Sequence, residues 1–282
     1  MAGAVLPLVV GMLLKILFNP ASEGITISGA LVYFTIPMPL QNLPITEAQV
    51  NSALVIITIF FLCLYFTHGL SVKANLKRQL IAEWIVKQTQ SLVKTNMSDY
   101  FAGFAPFVAA IMGLSAFSSL LALIGMYAPT SDINIVGGWA ILVFILITYY
   151  KMKCGPIHYI KSFGDPVPLL SPLNIIREVA TPISMAFRHY GNVLSGAVIS
   201  VLVAAGLQGL SNMLLGWLPG FLGDIPFLQI GIPAVLSVYF DLFSGCLQAF
   251  IFAMLTMLYV ASGFPEEDYF ARRARKLAKS KK

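Results

Sequence analysis

The stretch Ser171–Gly196, SPLNIIREVATPISMAFRHYGNVLSG, places an arginine within sequence that is otherwise suited to a membrane. The 35 residues after Arg188, up to Gly223, contain no Asp, Glu, Lys or Arg. A guanidinium cannot lose its proton in a protein, and a cation at the bilayer centre costs about 2.5–3.5 kcal/mol on insertion scales. Arg188 therefore requires a function or a charge partner.

Several polar residues share a helix face with Arg188. Side chains three, four and seven positions apart lie on the same side of a helix. At these spacings, or ten residues away in the case of the glutamate, the sequence has Glu178, Thr181, Ser184, Asn192 and Ser195. The pattern predicts a polar stripe with a fixed positive charge at its middle. An arginine paired within a helix bundle for purely architectural reasons is the alternative.

The last apolar stretch carries a second polar stripe. Ser237, Asp241, Ser244 and Gln248 follow one another at spacings of four, three and four residues, which again defines one helix face. Two interpretations of Asp241 are open. It is either the structural counter-ion of Arg188, or a residue that lines an aqueous half-channel and relays an ion. Polar stripes on two neighbouring helices favour the half-channel.

The composition indicates an all-α protein that crosses the membrane several times. Of the 282 residues, 58% are hydrophobic and only 11% are charged, whereas soluble domains carry about 25% charged residues. The net charge of +6 comes from basic residues between apolar spans and at the C-terminus, so it gives no indication of nucleic-acid binding. No nucleotide-binding, nucleophile or metal-ligand motif is present, and no cofactor is expected. An ion gradient or a partner must therefore supply the energy for any work.

Hydropathy and charge divide the chain into six segments. They are an extracytoplasmic or interfacial segment (1–49), a span (50–70), an interfacial amphipathic helix (72–95), two spans with a basic loop (100–170), a long helix pair (171–263) and a basic tail (264–282). Residues 1–18 fit a short span, an interfacial helix or a buried segment, whereas residues 19–47 fit an extracytoplasmic loop. Trp84 on the apolar face of the amphipathic segment suits a membrane interface.

The distribution of Lys and Arg predicts the orientation of the chain. Basic residues mark cytoplasmic loops, and they occur in residues 71–95 and 151–170 and in the tail at 272–282. The intervening segments 19–47, 128–134 and 219–226 contain none. This alternation is consistent with five spans and a cytoplasmic C-terminus.

The last two apolar stretches, residues 172–218 and 227–262, are too long for upright spans. A helix of about 45 residues is about 67 Å long, whereas the hydrocarbon core is about 30 Å thick. Each stretch is therefore either a broken hairpin or one strongly tilted helix. A hairpin would disrupt the alternation of sides, so tilt imposed by neighbouring helices is favoured.

Three motifs resemble those of subunit a of F-type ATP synthases. They are PTSDIN at 129–134, PLNIIREVATPISMAFRHYGN at 172–192, and LQAFIFAMLTMLY at 247–259. They occur in the family's order and spacing and span about half the chain. The R-x-x-G-N pattern followed by Q-A-F is the most specific of these features.

The resemblance implies that Arg188 is the family's essential arginine, that Asn192 and Gln248 are its polar companions, and that Glu178 is the acid on the cytoplasmic part of the arginine helix. The sequence also departs from the family. It has His189 where the family commonly has leucine, and Ala197 where the family often has an acid or histidine.

The implied function is that of a non-catalytic stator subunit that guides ions to and from a rotating c-ring. The implied partners are the c-ring, the peripheral-stalk b subunits, the rest of the ATP synthase and the lipid bilayer, most naturally that of a bacterial plasma membrane. Proton and sodium both remain open as the transported ion. A stand-alone ion-coupled transporter and a structural membrane scaffold are the alternatives, although inverted repeats typical of transporters are not evident.

Overall fold

A computed structural model describes most of the chain, namely residues 6–13, 29–39, 41–71, 76–164, 168–215 and 231–280. Its helices are α1 (6–13), α2 (Glu47–Thr67), α3 (Lys77–Asn96), α4 (Ala105–Leu120), α5 (Ile133–Lys151), α6 (Pro156–Ser162), α7 (Ser171–Leu215), α8 (Ile232–Ser237), α9 (Gly245–Gly263) and α10 (Glu266–Ser280). A π-helical turn, Val238–Ser244, joins α8 to α9. Short 3₁₀ segments are Asp99–Phe104, Leu121–Ile124, Pro129–Ser131, Met152–Cys154 and Pro168–Leu170.

Five helical stretches are long and apolar enough to cross a membrane. They are Glu47–Thr67, Asp99–Ile124, Ile133–Cys154, Pro168–Leu214 and Val235–Gly263. This confirms the expectation of an all-α polytopic membrane protein with five spans. The short segment between the last two, residues 219–226, lies outside the described residues, as do residues 1–5, 14–28 and 72–75.

Strand structure occurs where the sequence predicted only a loop. Strand β1 (Val32–Ile36) pairs antiparallel with β2 (Leu43–Thr46), because β-branched and aromatic residues in VYFTI suit an extended backbone. The hairpin leads directly into α2. Helix α1 packs against α2, since a Cβ on Gly11 would lie 2.6 Å from Cδ1 of Leu54.

The first long stretch is one uninterrupted helix rather than a hairpin. Helix α7 runs for 45 residues and accommodates Pro182 in its interior. The second long stretch is also continuously helical from Ile232 to Gly263, although Val238–Ser244 adopts π-helical geometry. Within the described residues, the alternative of broken hairpins is therefore excluded.

The hydrophobic core lies where α9 meets α4 and α5. Val108, Val143, Phe252 and Met257 are fully or almost fully buried there. Helix α9 approaches α4 closely at Gly245, where an added Cβ would lie 2.6 Å from Cβ of Ser119. This close approach holds the last span rigidly against the bundle, and α7 packs along α5 and α9.

Helix α3 keeps an apolar face exposed. Leu80, Ile81, Trp84 and Ile85 are each more than two-fifths exposed and lie on one side of the helix, whereas Val93 is buried against the bundle. Such a face is typical of a helix at a membrane surface. Its placement at the interface stays a prediction.

Helix α10 docks on the segment that follows α5. His158 Nε2 lies 2.9 Å from Asp268 Oδ2, and Arg272 donates to the backbone oxygen of Cys154. The Lys153 ammonium lies over the rings of Tyr100 and Tyr269, at 5.2 and 5.9 Å from their centroids. The predicted basic tail is thus a helix anchored to the bundle.

Candidate functional site

The two predicted polar stripes face each other across the contact between α7 and the last span. Asn192 Nδ2 donates a hydrogen bond of 3.0 Å to Ser244 Oγ. One turn further along α7, Gly196 lies against Phe240, where an added Cβ would be 3.1 Å from Cβ of Phe240. Because position 192 pairs with 244 and 196 with 240, the two helices run antiparallel.

This register determines how far each of the other stripe residues lies from Arg188 along the helix axes. Gln248 lies level with Arg188, and Asp241 lies level with Ser195. At 1.5 Å per residue, Asp241 is about 10 Å from Arg188 along the helix axis. Glu178 is ten residues from Arg188 in the opposite direction, or about 15 Å. The two carboxylates thus lie on opposite sides of the arginine level.

Arg188 has no hydrogen-bond or ion-pair partner among the described residues. Its residue is exposed, as is Ser184 one turn before it. The carboxylate of Asp241 instead accepts a hydrogen bond of 2.9 Å from Ser237 Oγ. The Arg188–Asp241 ion pair required by the architectural interpretation is therefore not formed, and an ion-relay role for Asp241 stays a prediction.

Helix α7 has two different faces beside Arg188. Ile183, Phe187 and Leu202 are exposed by 50%, 60% and 56%, whereas Met185 and Ala186 are buried against the bundle. Arg188 lies at the border between these faces. A membrane protein with an exposed row of this kind presents it either to lipid or to another subunit.

His189 is a buried polar residue to which sequence reasoning gave no role. Its Nε2 lies 3.2 Å from Ser115 Oγ of α4, and its ring meets Trp139 and Phe252 edge-on. The imidazole therefore fixes α7 against three neighbouring helices. His189 thus lies on the packed face of α7, one residue after the exposed Arg188.

A polar cavity surrounds Glu178 at the other end of the stripe. The cavity has a volume of about 370 Å³ and lies between α5, α6, α7 and α9. Its polar lining is Lys151, Ser162, Asn174, Arg177, Glu178, Thr181, Tyr259 and Ser262. Lys151 Nζ donates to Glu178 Oε2 at 2.5 Å, and the Thr181 hydroxyl donates to the backbone oxygen of Arg177. Sequence reasoning placed Glu178 and Thr181 together here but missed Lys151.

The PTSDIN motif builds the turn between the second and third spans. Pro129, Thr130 and Ser131 are buried, and Asp132 caps α5 by accepting a hydrogen bond from the Asn134 backbone N–H at 2.9 Å. Asn51 of α2 donates to the backbone oxygen of Tyr127 at 2.8 Å. Burial, reinforced by the nearby Asp132 carboxylate, raises the pKa of Tyr127.

Within the part of the chain that the structure describes, no group of three or more His, Cys, Asp and Glu side chains is placed to hold a metal ion. The three cysteines are free thiols. The polar groups along the two stripes are hydroxyls, amides, the carboxylates of Glu178 and Asp241, and the guanidinium of Arg188.

Comparison with known proteins agrees with this picture. Residues 50–261 match the family described as "ATP synthase A chain". The protein named "ATP synthase subunit a" of Legionella pneumophila (strain Paris) is 27% identical over 242 residues, which cover 85% of this chain and 95% of that protein. The protein of the same name from Bacillus pumilus is 32% identical over 226 residues, covering 75% and 88% of the two chains.

Proposed function

Because the chain belongs to the ATP synthase A chain family, subunit a of the membrane sector of F-type ATP synthases, we propose that it is the stator subunit that conducts ions to and from a rotating c-ring. It does so through two half-channels separated by Arg188. Ion flow through them drives rotation, and the rotation drives ATP synthesis in a soluble partner. The chain itself carries out no covalent chemistry and uses no cofactor.

The observation that carries this proposal is an exposed, unpaired Arg188 with polar groups displaced to either side of it. Among the described residues, Arg188 has no counter-charge of its own. An unpaired cation in a span is costly, and a carboxylate from another subunit would offset that cost. The exposed row containing Phe187 and Leu202 gives such a subunit a surface beside the arginine.

The mechanism follows from electrostatics. A ring carboxylate that faces lipid must be neutral, because a charged group in hydrocarbon is unfavourable. Opposite Arg188 the charged carboxylate is stabilised, so the bound ion leaves. The same fixed cation repels an ion that would cross directly from one half-channel to the other. Ions therefore cross only by travelling around with the ring.

The outer half-channel is assigned to the stripe of the last span. Asp241 exchanges the ion, while Ser237, Ser244, Gln248 and Asn192 supply hydrogen-bonding groups that lead toward Arg188. The support is the Asn192–Ser244 hydrogen bond, which joins the two stripes at this level. Gln248 is buried at the level of Arg188, where the outer path ends.

The inner half-channel is assigned to the polar cavity around Glu178 and Thr181, with Ser184 between that cavity and Arg188. Its volume of about 370 Å³ is far larger than the roughly 30 Å³ that one water occupies in the liquid. The cavity therefore accommodates a chain of waters that carries the released ion to the cytoplasm.

The length of α7 requires a strong tilt in this arrangement. Its 45 residues correspond to about 67 Å, twice the thickness of the hydrocarbon core. A tilted α7 follows the curved surface of a ring over several subunits. Glu178 and Asp241, about 25 Å apart along the helix axis, both fit within a hydrocarbon core about 30 Å thick.

Contact with a ring gives a direct test of the proposal. A cysteine at the exposed position 187 should form a disulfide with a cysteine on the outer helix of a ring subunit near its carboxylate. A cysteine at the buried position 186 is the matched control and should not. Equal crosslinking at both positions, or none at either, would contradict the proposed ring-facing surface. A stand-alone transporter or a scaffold would also purify without ring subunits.

Labelling with a membrane-impermeant thiol reagent tests the orientation, in a variant from which Cys63, Cys154 and Cys246 have been removed. We expect cysteines introduced in residues 76–95 and 156–164 to react from the cytoplasmic side, and cysteines in residues 128–132 to react from the outside. Residues 219–226 should also react from the outside, because α7 crosses the membrane once. Reaction of residue 224 from the cytoplasmic side would contradict the single crossing.

A further inference from the structure

We propose that Lys151 is a tethered counter-ion that keeps Glu178 from capturing the transported cation in the cytoplasmic half-channel. This inference rests on the proposed function and deepens its inner path. It assigns to Glu178 a fixed charge rather than a relay. It also assigns a function to Lys151, at the end of α5.

Both oxygens of the Glu178 carboxylate are occupied by donors from the chain itself. Lys151 Nζ lies 2.5 Å from Oε2, and the Tyr159 hydroxyl of α6 lies 3.4 Å from Oε1. Burial, and then the charge of Glu178, raise the pKa of Tyr159, so its hydroxyl stays protonated and able to donate. An incoming proton or sodium ion would have to displace one of these donors.

The pair is shielded from bulk water but borders the cavity. The Glu178 side chain is 13% exposed and that of Lys151 is 25% exposed. A lone carboxylate in such a place would hold a cation tightly, because attraction between charges strengthens as water is excluded. A tightly held ion would not leave for the cytoplasm at the rate that rotation requires. The Lys151 ammonium occupies the carboxylate and so prevents this tight binding of the transported cation.

The position of Lys151 is fixed by packing. Its stem lies against Gly263 at the end of α9, where an added Cβ would be 3.1 Å from Cε of Lys151. The aliphatic part of the Lys151 side chain therefore passes over a glycine, the residue type that leaves room for it. The ammonium is thereby directed at Glu178 rather than free to follow solvent.

The other described residues that line the cavity leave their balance of charge positive. Arg177 of α7 also lines it, and the remaining polar lining residues are Ser162, Asn174, Thr181, Tyr259 and Ser262, which are neutral. Among the described lining residues, the charge that remains once Lys151 neutralises Glu178 is that of Arg177. Released cations are therefore not retained there, and water carries them outward.

The test uses the whole ATP synthase in vesicles. The rate of ATP synthesis is measured at increasing concentrations of the transported ion, proton or sodium, on the cytoplasmic side. Lys151→Met keeps the stem but removes the charge. We expect its rate, relative to the unmodified complex, to fall about tenfold as that concentration rises, since a hydrogen bond to a charged group is worth about 1.5–3 kcal/mol. Lys151→Arg, which keeps the charge, should behave as the unmodified complex does.

Glu178→Gln gives the decisive contrast. Without a carboxylate there is nothing to trap an ion, so the rate of the double variant Lys151→Met/Glu178→Gln, relative to that of Glu178→Gln alone, should show none of the concentration dependence of Lys151→Met. A double variant whose rate still falls about tenfold as the ion concentration rises would show that the carboxylate is not the trap, and would overturn the proposal. Complete loss of synthesis in a fully assembled Glu178→Gln complex would make Glu178 a relay and would overturn it too. An unaltered concentration dependence in Lys151→Met would overturn it as well.

Two further outcomes are covered by the same set of variants. Should Lys151→Met fail to assemble, Lys151→Gln takes its place, because it keeps a donor for Glu178 but removes the charge; the same fall in rate with rising ion concentration is expected, and its absence would overturn the proposal. Arg188→Ala, measured in the same vesicles, tests the stator function separately from the role of Lys151. Retained synthesis in Arg188→Ala contradicts the stator function, whereas loss of synthesis in Arg188→Ala together with an unaltered concentration dependence in Lys151→Met contradicts the role of Lys151 only.

Discussion

Replacing Arg188 by alanine abolishes ion-driven ATP synthesis while the complex still assembles; this is the largest effect that we expect from any single change. The side chain is exposed and makes no hydrogen bond or ion pair with the described residues, so its loss removes no polar contact among them on which assembly would depend. Among the described residues at the level of Arg188, its guanidinium is the charge that can favour the ionised ring carboxylate. Without it, the ring carboxylate keeps its ion and rotation is no longer coupled to ion flow.

Arg188→Lys should restore little or nothing. An ammonium is a compact, strongly hydrated charge, whereas guanidinium is planar and permanently charged with donors in a fixed fork. A lysine in a span can also lose its proton, which would open a direct path between the half-channels. Lys87→Ala on α3, which removes an exposed lysine 4.0 Å from Glu83, is the matched control and should leave synthesis unchanged.

The measurement is ATP synthesis in vesicles together with the amount of assembled complex, and passive ion leak as a third readout. We expect normal assembly, no synthesis and increased leak for Arg188→Ala. Near-normal synthesis in this variant would contradict the stator function altogether. Loss of assembly would indicate the architectural interpretation of the arginine instead.

The fold could largely be predicted because hydropathy is a long-range, additive signal. Five apolar stretches, separated alternately by basic segments and by short turns without Lys or Arg, specify five spans, and the structure agrees. The hairpin of β1 and β2 could not be predicted in this way, because VYFTI is a short apolar stretch without a clear period. The π-helical turn at Val238–Ser244 was also unpredictable, since it depends on how α9 packs against Ser119 and α7 against Phe240.

The candidate site was predictable only where one helix carries the whole pattern. Spacing along α7 and along the last span identified both stripes, and the Asn192–Ser244 hydrogen bond shows that they meet. Groups brought in from other helices were not identified. Lys151 lies 27 residues from Glu178 and Ser115 lies 74 residues from His189, and no local period links such pairs.

Asp241→Asn should assemble normally and lose proton-driven synthesis. Asp241 accepts a hydrogen bond from Ser237 Oγ, and an asparagine oxygen can accept the same bond, so the turn should keep its structure. An amide cannot bind and release a proton near neutral pH. The other residues assigned to the outer path, Ser237, Ser244, Gln248 and Asn192, cannot do so either. We expect a loss of about a hundredfold, in the range for removal of a positioned proton-transfer group.

The same variant distinguishes the transported ion. An asparagine oxygen can still act as a ligand for sodium, so a sodium-conducting path should keep substantial synthesis in a sodium medium. Ser237→Ala is the matched control, because it removes the hydrogen bond to Asp241 but leaves the carboxylate, and its effect should be small with either ion. A structural role would instead reduce the amount of complex in Asp241→Asn.

These outcomes separate because Asp241 lies about 10 Å from the Arg188 level and forms no ion pair with Arg188. If it were a counter-ion, removal of its charge would leave Arg188 uncompensated and would act on assembly. If Asp241 is a relay on the outer side, its replacement lowers the rate of ATP synthesis and leaves the surroundings of Arg188 unchanged. Normal assembly with unchanged synthesis in both proton and sodium media would exclude Asp241 from the ion path, and with it the placement of the outer half-channel along the last span.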